Sequence, residues 1–191
     1  MKDKKIIIGV SGSKGSFSEE AALYYCYMNK VENFELQYLI CVDRVLRHLN
    51  AKKINIGIFP IENSNGGIVE EAVYAMSKYN FKIIKMFEID IKHNLMVKPG
   101  TLASEIEKIS SHQQALRQCR MYLRRKWGSI ELEEYTDTAE AAKDLSSGKL
   151  SKTTAIIASK NCATLYELEI LEEGIQDLKF NFTNFVVAEK R

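Results

Sequence analysis

Short apolar runs alternate along this chain with segments whose apolar residues recur every three or four positions. The runs Ile6 to Val10, Ile54 to Phe59 and Ala155 to Ala158 predict buried strands. Amphipathic segments lie between such runs, for example the one from Val42 to Leu49, and they predict helices that pack on a sheet. This alternation predicts an α/β fold built around parallel sheets.

One extended segment, from Phe81 to Val97, is longer than an ordinary strand. A chain that crosses from one lobe to another would have this pattern, and the strand-like run Phe185 to Ala188 could be the return crossing. The sequence therefore predicts two α/β lobes joined by crossing strands. We expect residues 1–80 and 181–191 to form the first lobe, with residues 81–180 inserted as the second.

Composition narrows the classes of function. The 191 residues are 46% hydrophobic, enough to form a core, and 27 basic against 25 acidic residues give a net charge of +2, which does not indicate nucleic-acid binding. The four cysteines are widely spaced and no histidine lies at metal-ligand spacing, so we expect no metal and no cofactor. Without a signal-peptide pattern or a membrane-spanning run, we expect a cytoplasmic protein that contacts no membrane.

Two polar turns lie where strands are followed by helices. The turn from Ser11 to Ser16 leads into a helix with Ser16 and Glu19 at capping-box spacing. The strand that ends at Pro60 is followed by a polar loop from Ile61 to Gly67. Helix N-termini at such places offer oriented N–H groups to anions, so we expect a cleft that binds carboxylates or phosphates.

General catalytic motifs do not fit the sequence. The spacing of Gly12 and Gly15 matches neither a P-loop nor a dinucleotide fingerprint. The adjacent pair Ser111 and His112 points to opposite sides of a strand, which argues against a Ser–His dyad.

Several segments, in order along nearly the whole chain, resemble the prephenate dehydratase family. The family's Gly-Pro-x-Gly-Thr-Phe-Ser segment is similar to Gly12 to Ser18, its Pro-Ile-Glu-Asn-Ser box matches residues 60–64, and its Asn-x-Thr-Arg-Phe motif corresponds to residues 181–185. Further matching segments are Ser111-His-x-Gln-Ala-Leu116, Thr138-Ala-Glu-Ala-Ala142, Ala155-Ile-Ile-Ala-Ser159 with Leu165-Tyr166, and Glu172-Glu-Gly-Ile-Gln-Asp177.

The resemblance implies a fold like that of type II periplasmic binding proteins and an enzyme that converts prephenate to phenylpyruvate in phenylalanine biosynthesis. It implies that Thr183 assists departure of the ring hydroxyl. It also implies a homodimer or higher even oligomer, and a chain that lacks the regulatory ACT domain common in the family. The residues that would bind the substrate are Ser16, Asn63, Ser64, Gly67, Ser111, His112, Gln114, Ala115, Thr138, Ala139, Asn184 and Phe185.

The sequence departs from the family pattern in ways that keep other functions open. The arginine of the terminal motif is Asn184, the usual serine before Thr138 is Asp137, and the usual serine after Gly67 is Ile68. Lys14 could replace the positive charge of the missing arginine. The alternatives are an arogenate dehydratase, a prephenate decarboxylase, or a module that binds a small carboxylate without turnover.

Overall fold

The computed structural model describes residues 5–191, and residues 1–4, the start of the predicted first lobe, lie outside the described part. The chain divides into two compact α/β units. The first contains the described residues up to Asp90 together with Phe182–Arg191, and the second contains Ile91–Asn181. The predicted boundary at residues 80 and 81 is therefore ten residues too early, and Asn181 belongs to the second unit.

The first unit has a mixed sheet with the strand order β2-β1-β3-β11-β5, and a short strand, β4, pairs with β3. Strands β1 and β3 run parallel, whereas the returning strand β11 is antiparallel to both of its neighbours. Its elements are β1 (Ile6–Val10), α1 (Phe17–Met28), β2 (Phe34–Tyr38), α2 (Val42–Asn50), β3 (Ile56–Asn63), β4 (Gly67–Ile68), α3 (Glu70–Lys78), β5 (Phe81–Asp90) and β11 (Phe182–Lys190).

The predicted end of the third strand at Pro60 is wrong. Strand β3 continues through Pro60 to Asn63, so the first half of the predicted polar loop is a strand. Pro60 is opposite Phe185 and Glu62 is opposite Asn184, which leaves Ile61 as the extra residue of a bulge. A proline is tolerated in a sheet at such a bulge, because the ladder needs no N–H group there.

Strand β11 has two distinct faces, because side chains alternate along a strand. Phe185 stacks on Phe87 of β5, with the ring centroids 6.1 Å apart, and Phe87 in turn contacts Tyr25 of α1. Val186 instead packs into the core formed with α2 and α3. Odd-numbered residues of β11 from Thr183 to Val187 therefore face α1, and the even-numbered residues face α2 and α3.

The second unit has a mixed sheet with the strand order β10-β6-β9-β7-β8. Strand β9 alternates between two cores, with Ala155 and Ile157 in one and Ile156 and Ala158 in the other. This explains why β9 is a continuous apolar run. The elements are β6 (Asn94–Val97), a 3₁₀ turn (Ala103–Glu105), β7 (Lys108–His112), α4 (Gln113–Gln118), α5 (Arg120–Trp127), β8 (Glu131–Tyr135), α6 (Thr138–Ser146), β9 (Thr154–Ala158), α7 (Lys160–Tyr166) and β10 (Glu169–Glu172).

The spacing of apolar residues from Gln113 to Trp127 predicts a single helix, but the structure has two helices there, which meet at Cys119. Asp177, which is distant in sequence, accepts hydrogen bonds from the backbone N–H groups of Met121 and Tyr122 in the first turn of α5. A carboxylate at this position caps the helix and complements its dipole. A tertiary contact thus stabilises a helix start that lacks a capping side chain of its own.

Candidate active site

The predicted catalytic residue Thr183 pairs with Asn63 where β11 lies beside the end of β3. The Asn63 side-chain Nδ2 donates a hydrogen bond to Thr183 Oγ1 over 2.8 Å. Thr183 is only 8% exposed, so its hydroxyl is held in a largely water-excluded environment. The structure therefore joins two motifs that are separated by about 120 positions in the sequence.

Ser64 attaches the same turn to β11 through two further hydrogen bonds. Its N–H donates to the carbonyl of Phe182 over 2.8 Å, and its Oγ accepts from the N–H of Phe182 over 3.0 Å. Residues 60–64 thus fix the backbone immediately before Thr183. The sequence predicted Asn63 and Ser64 to be substrate-binding residues, and in the structure both side chains hold the terminal motif.

Asn184 and Phe185, also predicted to bind the substrate, occupy different faces of β11. Asn184 lies on the face opposite to Thr183, between Glu62 of β3 and Glu88 of β5. Phe185 shares the Thr183 face, but it is 1% exposed and packs in the core. The structure therefore separates position 184, where the family pattern has an arginine, from the Thr183 hydroxyl.

Side chains at the start of α1 accept hydrogen bonds from backbone N–H groups in and just after the glycine-rich turn. Ser16 caps α1, with its Oγ accepting from the N–H of Glu19 over 3.4 Å. The Glu19 carboxylate accepts from the N–H of Gly15 over 2.5 Å and from the hydroxyl of Tyr38. Gly15 has a φ of 89°, which a residue with a side chain rarely adopts. Part of the predicted anion-binding capacity of this turn is therefore already used by Glu19.

Gly67, predicted to bind the substrate, lies in the short strand β4 and pairs with Asn63. It is exposed and has a φ of 78°. The helix that follows, α3, begins only at Glu70, and no side chain caps its first turn.

In the second unit, Ser111 and His112 end strand β7, as the sequence predicted, and their side chains have opposite exposure. Ser111 is fully buried and donates a hydrogen bond to the carbonyl of Ile157 over 2.6 Å. His112 is exposed, and its Nδ1 accepts from the N–H of Gln114 over 3.2 Å. A neutral His112 therefore carries its proton on Nε2, where it can donate to a ligand. Gln114 is partly exposed, whereas Ala115 is buried.

Helix α6 begins with the predicted pair Thr138 and Ala139. Its N-cap, Asp137, accepts hydrogen bonds from the N–H groups of Ala139 and Glu140 over 2.7 and 3.1 Å. The N–H of Ala139 is consequently occupied by a side chain, and Ala139 itself is buried. Thr138 is partly exposed and is the residue of this pair whose hydroxyl could reach a ligand.

Two groups with shifted pKa values were not found from the sequence. Burial raises the pKa of Glu20 in α1, and the nearby carboxylate of Asp90 raises it further. In the second unit, burial lowers the pKa of His93, and its hydrogen bond to Gln118 partly opposes that change. The sequence carried no signal for either, because both shifts arise from neighbours that only the fold supplies.

Within residues 5–191, no group of three or more histidine, cysteine or acidic residues is placed to hold a metal ion. None of the helices in the same range is both long enough and apolar enough to cross a membrane.

The chain is similar to known proteins over nearly its whole length. The family model "Prephenate dehydratase" matches residues 8–191. A bifunctional chorismate mutase/prephenate dehydratase from Pseudomonas aeruginosa is 31% identical over 97% of this chain and 49% of its own length. Arogenate dehydratase/prephenate dehydratase 6 from Arabidopsis thaliana is 30% identical over 100% of the chain and 45% of its own length. The chain thus spans about half the length of these curated relatives.

Solved structures confirm the predicted fold. A prephenate dehydratase from Arthrobacter aurescens, solved with L-Phe, superposes with a TM-score of 0.86 at 24% identity, covering 97% of this chain and 60% of that one. A putative methionine-binding lipoprotein from Bacillus subtilis superposes with a TM-score of 0.50 at 11% identity, covering 100% and 85%. Because the family model matches nearly the entire sequence and the paired motifs carry the family's residues, the chain belongs to the prephenate dehydratase family.

Proposed function

We propose that this protein is a prephenate dehydratase, which converts prephenate to phenylpyruvate with loss of water and carbon dioxide. The observation that carries the proposal is the Thr183 hydroxyl, held by Asn63 over 2.8 Å where β11 lies beside the end of β3. In that hydrogen bond Thr183 Oγ1 is the acceptor, so the hydroxyl of this nearly buried residue can still donate its own proton to the substrate.

The reaction breaks two bonds of prephenate and makes its ring aromatic. The bond to the ring carboxylate breaks and releases carbon dioxide, and its electron pair enters the ring as the bond to the ring hydroxyl breaks. The departing hydroxide becomes water with a proton that comes ultimately from solvent. A threonine alcohol is too weak an acid to complete this transfer alone, so Thr183 acts by stabilising the charge on the departing oxygen.

The second unit carries polar groups that the family resemblance assigns to substrate binding. His112 can donate from Nε2, because its Nδ1 is used at the start of α4. Thr138 adds a hydroxyl at the start of α6, and Gln114 adds an amide. Ser111 would have a structural role, because its buried hydroxyl donates to the carbonyl of Ile157 and thereby fixes β7 to β9. The Gln114 amide and the Thr138 hydroxyl carry no charge, so they would recognise a carboxylate by hydrogen bonds and not by full charges.

The proposal is tested by incubating the purified protein with prephenate. Phenylpyruvate formation is measured against an enzyme-free control at the same pH. We expect turnover by the wild type, a loss of about 100-fold or more in kcat for Thr183→Ala, as for removal of one transition-state donor, and partial activity for Thr183→Ser, which keeps the hydroxyl. Equal kcat for wild type and Thr183→Ala would remove Thr183 from this role.

The same assay separates the alternatives. Curated relatives include proteins named arogenate dehydratase, so arogenate should be assayed in parallel, and faster turnover of arogenate would change the substrate assignment. Consumption of prephenate without an aromatic product would indicate a decarboxylase. Tight prephenate binding by calorimetry without any product would indicate a binding module.

We also propose that the protein acts in the cytoplasm as a homodimer or higher even oligomer. The four cysteines are free, as is usual in a reducing compartment. Sedimentation velocity of the purified protein tests the assembly, and a purely monomeric species at micromolar concentration would contradict it.

A further inference from the structure

The amide group of Asn63 has only one orientation that satisfies its neighbours. Its Oδ1 accepts hydrogen bonds from the N–H groups of Asn65 and Gly66, over 3.0 and 2.7 Å. These two donors require an oxygen at that position, because an amide nitrogen cannot accept. The NH₂ group of Asn63 therefore faces β11, where it donates to Thr183 Oγ1 and to the carbonyl of Phe182.

This orientation determines the direction of the Thr183 hydroxyl proton. Because Nδ2 of Asn63 is a donor, Thr183 Oγ1 must be the acceptor of their hydrogen bond. The proton of Thr183 then points away from Asn63. Among residues 5–191, the structure contains no acceptor for that proton, so it remains available for a ligand.

We propose that Asn63 is a positioning residue that fixes Thr183 as a hydrogen-bond donor towards the substrate, rather than a residue that binds a substrate carboxylate. The inference rests on the proposed dehydratase function, because a donor directed at the departing hydroxyl is useful only in that reaction. It follows that Asn63 acts on kcat through Thr183 and has little effect on substrate affinity.

The hydrogen bonds of Asn63 argue against its alternative role as a residue that binds a substrate carboxylate. Its oxygen accepts two backbone N–H groups and its nitrogen donates to two acceptors, which uses the ordinary capacity of a side-chain amide. A substrate carboxylate could bind Asn63 only by displacing Thr183 or Phe182.

The substitution Asn63→Asp tests the proton direction with a minimal change in shape. One carboxylate oxygen can still accept from Asn65 and Gly66, whereas the other now accepts the proton of Thr183 and removes it from the substrate. We expect kcat to fall about 100-fold or more, as for loss of a transition-state donor, with KM close to that of the control. The control is Asn65→Asp, which adds the same charge two residues away and should leave kcat near the wild-type value.

A double-mutant cycle with Thr183→Ala shows whether Asn63 acts through Thr183. If it does, Asn63→Asp costs almost nothing further once the hydroxyl is gone, and the double variant matches Thr183→Ala within about threefold. Independent roles would instead multiply the two losses. Asn63→Ala, which frees the hydroxyl without reversing it, should lose less kcat than Asn63→Asp. If the aspartate variant folds poorly, Asn63→Ala still tests the role by itself, because its kcat should fall while its KM stays close to the wild-type value. Thermal denaturation of each variant verifies folding.

The outcomes separate this inference from the function on which it rests. An active wild type with an unchanged kcat in Asn63→Asp, or with losses that multiply in the cycle, would refute the role of Asn63 and leave the dehydratase function standing. A large rise in KM for Asn63→Ala at unchanged kcat would restore the ligand role. A wild type that does not dehydrate prephenate or arogenate would overturn both proposals.

Discussion

Replacing Asn184 with arginine, the family residue, should stabilise the fold without improving substrate binding. Asn184 lies between Glu62 and Glu88 on the face of β11 opposite to Thr183. Both glutamates are exposed. An arginine at position 184 would therefore form cross-strand ion pairs with two carboxylates that now face a neutral amide.

The size of the effect follows from the exposure of the two pairs. An exposed cross-strand ion pair contributes roughly 0.2–1 kcal/mol, so two of them should add about 1 kcal/mol to the free energy of unfolding. For a chain of this size that corresponds to a rise in Tm of roughly 2–4 °C. The gain should shrink in high salt, because exposed charges are screened.

Thermal denaturation at low and high salt, together with KM for prephenate, measures this prediction. Asn184→Gln is the neutral control and should change neither Tm nor KM, and Asn184→Glu should lower Tm by placing three like charges in a row. Lys14→Ala shows whether Lys14 contributes a compensating charge instead. A tenfold fall in KM for Asn184→Arg without a rise in Tm would refute our placement of position 184 outside the substrate site.

Three further predictions concern stability. Burial lowers the pKa of His93 in the folded state, so its contribution to stability is present above the unfolded pKa near 6.5 and is lost as pH falls below it, where the free energy of unfolding should drop by up to about 1.4 kcal/mol per pH unit. Urea denaturation at several pH values should show that this free energy depends less steeply on pH in His93→Asn, and an equal pH dependence would contradict the assignment. Asp177→Ala removes the acceptor for two N–H groups at the start of α5 and should cost about 1–2 kcal/mol by chemical denaturation, with Asp177→Asn as the milder control; no loss would exclude the capping role. Asp137→Ala should cost about 1 kcal/mol, whereas Asp137→Ser, which keeps a capping oxygen, should stay within about 0.5 kcal/mol; equal losses would count against the cap.

Much of the fold was predictable because its signals are local. The apolar runs of β1 and β9 and the amphipathic pattern of α2 lie in the structure where the sequence predicted them. Other elements were predicted incorrectly, because the tertiary structure overrides the local signal. A proline usually ends a strand, but β3 continues past Pro60 because of the bulge at Ile61.

The candidate site was predictable in its motifs but not in its geometry. The resemblance drew attention to Thr183, Asn63 and Asn184, and it treated all three as parts of one substrate-binding surface. The register between β3 and β11 places Thr183 and Asn184 on different faces of the sheet, because neighbouring residues of a strand point to opposite faces. Thr183 thereby meets Asn63, and Asn184 faces two glutamates on the other side of the sheet.

The sequence by itself therefore determined the α/β class, the family and the motifs, since each depends on residue types at short spacing. The tertiary structure alone decided which hydrogen-bonding groups pair: the side chain of Asn63 with that of Thr183, Glu19 with Tyr38, and Asp177 with the backbone at the start of α5. These pairings depend on strand register and on contacts between segments that are distant in the chain, which no local pattern encodes.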